Sequence, residues 1–305
     1  MINNLFRISL LLLCTLSARS GAGETKKNPF ELLICDYVKF ELFKVNKSGE
    51  VTWKYKPKSK VWDFVLTEDN HIIYPIIIKH FEVHCMDFQN KLKWSWDYGK
   101  DYREIVNITR NKSQIILSGQ KPSEAIIMDL SGNILRKIDI PTNYKSHHGE
   151  MGDVHALDNG RYLVQLWGEG SVSEVDQVGK ELWRFQVPRL KDKKQRYPAG
   201  CVQDVLRFKN GNTMIACGVQ ARLLEIDRNK NIVWEFNKND FPELNMINAS
   251  NLQHLKDGSI LVTNFLRGNT GKGAHAFILS KDRKVTWSYK DHKTITAASR
   301  VWAIE

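Results

Sequence analysis

The stretch HHGEMGDVH, residues 147 to 155, concentrates more chemistry-bearing side chains than any other part of the chain. His147, His148, Glu150, Asp153 and His155 could supply a general acid or base, a nucleophilic imidazole or a metal ligand. Asp153 and His155 are two residues apart, which places them on one face if the segment is a strand. His147, His148 and Asp153 are therefore the candidate catalytic groups. No spacing specific to a metal is present, and none is assigned. His80 and His84 share a face in the same way, but in a segment that reads as a middle strand, where packing is expected.

A second set emerges when segments of similar pattern are aligned on Ile108, Leu157, Phe208 and Leu255. Glu104, Asp153, Asp204 and Asn251 then fall at one position, and Asp63 joins them if its turn is one residue longer. Arg103, Gln203 and Arg300 lie close upstream in their own segments. Arg103, Glu104, His155, Asp204, Asn251 and Arg300 are accordingly the candidate ligand-binding residues. A structural role competes with this one, in which the same groups cap strand amides and hold water. The loop RGNTGKGAH, residues 267 to 275, carries Arg267 and Lys272 but no following helix start, so it is not a phosphate loop. With Trp167 and Tyr197 it could frame a glycan or anion.

These residues need elements to position them, and a repeat provides those elements. In SEVDQVGKELW, residues 173 to 183, a strand ends at Asp176, turns through Gly179 and resumes toward Trp183. Asn46 precedes Trp53 by the same seven residues, as do Asp87 and Trp94, Asp227 and Trp234, and Ser280 and Trp287. Asp129 stands so to Arg136. Successive copies begin 41, 42, 47, 51 and 53 residues apart. A period in that range built from short strands predicts propeller blades. Asn159-Gly160, Asn210-Gly211 and Asp257-Gly258 mark the first hairpin of three of them. The N-terminal repeat, residues 31 to 55, has three strands only, and the C-terminal SRVWAIE reads as its missing inner strand. The expectation is an all-β, six-bladed β-propeller of four-stranded blades, closed by the C-terminal strand completing the N-terminal blade. The recurrent Trp is expected to cover the gap between adjacent blades.

Arg7, the apolar run from Ile8 to Leu16 and small residues near Ala22 predict a signal peptide over 1–22, leaving one propeller domain over 23–305. The mature protein is expected to be exported, periplasmic or secreted, without a membrane span, and monomeric. The net charge of +11 falls to +9 once Arg7 and Arg19 are removed. Basic runs at Lys54 to Lys60 and Arg189 to Arg196 would attract a polyanion such as an acidic glycan. No nucleic-acid motif is present. Cys35, Cys85, Cys201 and Cys217 are expected as buried free thiols, because the hairpin register sets Cys201 nearer Val219 or Gln220 than Cys217.

The frame D-x-x-G-K-x-x-W, carried in full by Asp176, Gly179, Lys180 and Trp183, resembles the tryptophan-docking repeat of the quinoprotein-like propellers. The phrases LDNGRYLV and FKNGNTMIA are similar to exported bacterial and arylsulfotransferase-like propellers. The resemblance implies the propeller fold and export, but no single activity, since relatives include dehydrogenases, sulfotransferases and assembly scaffolds. Six repeats stand where the quinone dehydrogenases typically have eight, and no quinone-site signature is found, so no cofactor is assigned. Three functions follow as expectations. The first is a binding protein for a small molecule or glycan, possibly anionic, at the channel mouth. The second is a saccharide-acting hydrolase, lyase or sulfotransferase-like enzyme using the histidine cluster. The third is a non-catalytic interaction scaffold.

Overall fold

In the computed structural model, residues 27–77, 81–144, 149–190, 202–267 and 271–305 are described. The expected signal peptide, His80, His147, His148, Tyr197, Cys201 and most of the second basic run lie outside them.

Among the described residues, twenty-four strands form six antiparallel sheets of four. The N-terminal blade contains β1 (Glu31–Asp36), β2 (Glu41–Val45) and β3 (Val51–Tyr55). Blade two contains β4 (Val65–Leu66), β5 (Ile72–Ile76), β6 (Glu82–Met86) and β7 (Leu92–Asp97). Blade three contains β8 (Glu104–Asn111), β9 (Gln114–Gln120), β10 (Glu124–Asp129) and β11 (Ile134–Asp139). Blade four contains β12 (Val154–Ala156), β13 (Tyr162–Leu166), β14 (Ser171–Val175) and β15 (Glu181–Gln186). Blade five contains β16 (Asp204–Arg207), β17 (Thr213–Ala216), β18 (Arg222–Ile226) and β19 (Ile232–Asn237). Blade six contains β20 (Ala249–His254), β21 (Ile260–Asn264), β22 (Ala276–Leu279) and β23 (Val285–Tyr289). The last strand, β24 (Ala298–Ile304), pairs with β1 from Glu31↔Ile304 to Asp36↔Ala298 and completes the first blade from inside. Asp36 locks this closure, accepting backbone N–H bonds from Val38 and Lys39 on one side and Thr296 on the other.

The burial follows from blades stacked face to face. Second and third strands are covered on both faces, so β5, β13, β14, β18 and β21 are buried at every residue. β5 (IIYPI) and β13 (YLVQL) read as near-continuous apolar runs for that reason. Outermost strands such as β3 and β7 are half exposed and alternate. Six apolar clusters result, one between each pair of neighbouring blades.

The turn between third and fourth strands is the same in every blade. Asp87, Asp129, Asp176 and Asn46 each accept backbone N–H bonds from residues two and four positions on. The residue three positions on is left-handed in all six: Gly49, Asn90, Gly132, Gly179, Lys230 and Arg283. A register shift follows in each ladder, so the turn ends in a bulge. Seven residues after the turn's first residue, the side chain reaches the next blade. Trp53 donates to Asn90 Oδ1 at 3.0 Å and Trp94 to the Leu130 carbonyl at 2.8 Å. Trp183 lies under the Arg207 guanidinium at 5.3 Å and Trp234 under Arg283 at 5.8 Å. Trp287 joins the cluster of Phe43 and Val45. Arg136 does the same job with reversed roles: its guanidinium stacks on the Tyr162 ring at 5.7 Å and donates to its hydroxyl.

Candidate functional site

Inner strands start at one end of the channel, where the second strands finish, and their connecting loops ring that mouth. A cavity of about 620 Å³ opens there. Tyr37, Trp62 and Phe265, from the loops of blades one, two and six, form one aromatic wall. Their rings meet edge to face at 5.3, 5.8 and 4.9 Å between centroids. Trp167 supplies another aromatic face, lying over Gly149, where a Cβ would stand 2.1 Å from its ring. Only glycine fits beneath that indole.

Several amides in the wall hold the loops in place. Gln120 Oε1 accepts from the Gly149 N–H at 2.9 Å, and Gln165 Oε1 accepts from the Asp153 N–H at 2.8 Å while its amide donates to the Val202 carbonyl. Asn264 accepts from the Ile247 and Asn248 amides and fixes the entry to blade six. Asn248 itself lines the cavity, and its buried Oδ1 has no hydrogen-bond partner among the described residues. Asn107, Gln203 and Arg267 complete the polar lining, with Arg267 exposed at the rim.

The buried floor is a ring of six residues, one from the inner strand of each blade or the residues just ahead of it. Asp204 pairs with Ala216, Asn251 with Thr263 and Arg300 with Cys35, and the Asp153 carbonyl accepts from the Gln165 N–H. Asn107 and Asp63 stand four residues ahead of their hairpins, as Asp153, Asp204 and Asn251 do. Asp63 falls at this position with a turn of ordinary length, since Thr67 N–H bonds the His71 carbonyl over the same span as Leu157 to Arg161 and Phe208 to Asn212. Glu104 does not belong to this ring. The blade-three hairpin is tighter, pairing Asn111 with Gln114, and β8 carries a bulge between Ile105 and Ile108, so Asn107 takes the position expected for Glu104. Glu104 lines the cavity wall above.

The ring is bonded within itself. Asp63 accepts from the Phe64 and Ile108 amides, and Asp204 accepts in the same way from Val205 and Leu252. Each thus ties its blade to a strand further round the ring. The Arg300 guanidinium, 5% exposed, pairs with Asp63 and reaches the Ile108 carbonyl. His155 Nε2 lies 2.9 Å from Asp204 Oδ1, with its side chain 23% exposed. Asp153 differs from all of these, because neither carboxyl oxygen makes a standard hydrogen bond although the residue is 1% exposed. Burial raises its carboxyl well above the ordinary carboxylate range, and Asp204 and Asp63 push the same way, with Arg300 and Asn107 opposing.

The candidate residues are therefore divided by depth. Glu104 is in the cavity wall; Asp153, Asp204, Asn251 and Arg300 are in the floor; His155 is in contact with Asp204; Arg103 is exposed beside the mouth. Tyr37, Trp62, Phe265 and Asn248 were not among the expected ligand residues. Their signal was positional, since each occupies a loop that opens at the same mouth. Cys35, Cys85 and Cys217 are buried free thiols, and burial pushes Cys35 and Cys217 up to about 12. No helix among the described residues is long and apolar enough to cross a membrane.

The chain is a six-bladed β-propeller with an aromatic-walled channel mouth. No family profile matches its sequence, and no curated protein does. Similar solved structures include a protein of unknown function from Bacteroides caccae, with a TM-score of 0.72 at 19% identity, covering 90% of this chain and 98% of that one. A streptogramin B lyase gives 0.59 at 11% identity over 86% of this chain and 80% of the other. Virginiamycin B lyase from Staphylococcus aureus gives 0.57 at 12% identity, covering 85% and 80%. At these identities the likeness is one of fold.

Proposed function

We propose that the chain is an exported binding protein for a saccharide or short glycan, held in the mouth cavity. One observation carries this reading: the cavity combines aromatic walls from Tyr37, Trp62, Phe265 and Trp167 with an Asn248 Oδ1 that has no hydrogen-bond partner among the described residues. Sugars present apolar C–H faces to aromatic rings and hydroxyls to amides, so this mixture fits them. Arg267 at the rim and the positive net charge favour an acidic sugar over a neutral one. Export rests on the apolar segment following Arg7. Titration of neutral and uronate oligosaccharides, followed by tryptophan fluorescence, tests the proposal. Binding should weaken about tenfold or more in Trp62→Ala, as for an interface aromatic, and acidic sugars alone should lose affinity in Arg267→Ala. Absence of a response to every saccharide would sink it.

A catalytic version has one feature in its favour: the raised Asp153 carboxyl stands beneath the cavity with the His155–Asp204 pair. This reading takes in the hydrolase, lyase and arylsulfotransferase-like alternatives. Turnover of a bound saccharide, abolished by Asp153→Asn with binding retained, would distinguish it from simple binding.

A further inference from the structure

We infer that Asp153, His155 and Asp204 form a divalent-cation site of the manganese–zinc type in the channel floor, below the saccharide cavity. Their donor atoms, one imidazole nitrogen and two carboxylate oxygens, lie within 4.8 Å of one another. His155 lies on β12 with Asp153 just ahead of it, and Asp204 begins β16, so two adjacent blades present the three groups at the start of their inner strands. A closed shell at metal–ligand distances of about 2.0 to 2.2 Å needs donors roughly 3 to 3.6 Å apart. Closing the gap takes about an ångström of movement by Asp153 and His155 toward the Asp204 carboxylate.

The second, independent observation is the state of Asp153. It is 1% exposed, and neither oxygen makes a standard hydrogen bond among the described residues. Buried polar groups in folded proteins are nearly always satisfied, and an unmodified carboxyl in this position is costly. A proton removes the charge but still leaves an oxygen without a partner. A cation answers both deficits. The charge count agrees, since the floor holds three carboxylates (Asp63, Asp153 and Asp204) against one guanidinium. Arg300 is committed to Asp63, which leaves two carboxyls, Asp153 and Asp204, to neutralise a doubly charged ion once it displaces the Asp153 proton.

The surroundings have the features of a supported site. Asp204 is oriented by the Val205 and Leu252 amides, both donating at 2.7 Å, which fixes its carboxylate before any ion arrives. His155 contacts Asp204 Oδ1 at 2.9 Å, and binding would replace the proton between them with the ion. The partial exposure of His155 offers a path of entry. The mixed nitrogen and oxygen donors select the ion class. Calcium and magnesium favour all-oxygen shells, whereas imidazole with carboxylate suits manganese, iron and zinc.

The test is calorimetric titration of the chelator-stripped full chain with Zn²⁺ and Mn²⁺, with Mg²⁺ and Ca²⁺ as comparison arms. One equivalent of Zn²⁺ or Mn²⁺ per chain is expected, at least about tenfold tighter than Mg²⁺ or Ca²⁺, with a raised thermal midpoint. Asp153→Asn and His155→Ala should each weaken binding by about tenfold or more, while His71→Ala, which removes a surface histidine beside Asp69, leaves it intact. Asp153→Asn should not lower the metal-free thermal midpoint, because the buried carboxyl it replaces makes no standard hydrogen bond among the described residues. His155→Ala, at the partly exposed edge, gives the same reading if the first variant folds poorly. No stoichiometric binding by the wild type, equal binding by the Asp153 and His155 variants, or equal affinity for Ca²⁺ would each overturn the inference.

Discussion

At the scale of single residues, the channel floor is governed by what each buried polar group finds to bond. Arg300 and Asp63 satisfy one another and, through Asp63, the Phe64 and Ile108 amides. Replacing one partner strands the other, which typically costs about 3 to 5 kcal/mol. Arg300→Met should lose that much in urea unfolding, and adding Asp63→Asn should recover part of it. Additive losses in the double variant would contradict the pairing. His275 is the opposite kind of residue, fully buried, with neither ring nitrogen in a standard hydrogen bond among the described residues. Burial lowers its pKa from 6.5 to about 4, with the neighbouring His292 adding to the effect. The folded chain thus resists protonating a group that the unfolded chain protonates from pH 6.5 downward. Its stabilising contribution is complete above pH 6.5 and is lost progressively as the pH falls toward 4. His275→Leu should flatten the decline of the thermal midpoint over that window. A variant with the wild-type slope would assign the acid sensitivity elsewhere.

At the scale of the element, the recurring turn and its docking side chain join sheet to sheet. The left-handed fourth residue is a requirement of the bulged turn, but its neighbours differ from blade to blade. At Gly49 a Cβ would meet nothing within 4 Å, whereas at Gly179 it would stand 2.1 Å from the Asp139 carbonyl oxygen of the preceding blade. Gly49→Ala should cost only the backbone strain of a left-handed alanine, about 1 kcal/mol. Gly179→Ala should cost at least about twice that, because the two blades must also separate. Equal losses in denaturant midpoint would show that the turn alone sets the cost. Arg136 on Tyr162 extends the rule: the position demands a flat, wide group that reaches the next blade, and a guanidinium on an aromatic meets it.

At the scale of the molecule, closure is the cooperative event. β24 sits innermost in the first blade and supplies Arg300 to the floor, so one strand serves both the ring and the channel. Removing residues 298 to 305 would expose the inner edge of β1 and leave Asp63 unpaired. The truncated chain is expected to lose its single unfolding transition and to aggregate, as seen by calorimetry and light scattering. Retention of a wild-type transition would mean that the other blades hold the ring without it.

The blades, their number and their closure were legible in the sequence because they depend on local chemistry repeated six times. Asp176 and Gly179 announce a turn from four neighbouring residues, and apolar runs such as YLVQL announce strands covered on both faces. The site was legible only in part. Asp153, Asp204, Asn251 and Arg300 could be aligned from sequence, but Asn107 was hidden behind Glu104 by a bulge and a shorter hairpin, neither of which has a residue signature in β8. Depth was not readable at all. Whether an aligned acid faces a ligand, caps a neighbouring strand or stands unpartnered depends on residues 45 to 237 positions away, such as Ile108 for Asp63 and Arg300 for the same carboxylate. The aromatic wall of Tyr37, Trp62 and Phe265 joins three loops from opposite ends of the chain, and only ring closure brings them together. Local periodicity thus determines the propeller, while long-range contact decides which of its polar and aromatic residues make a site.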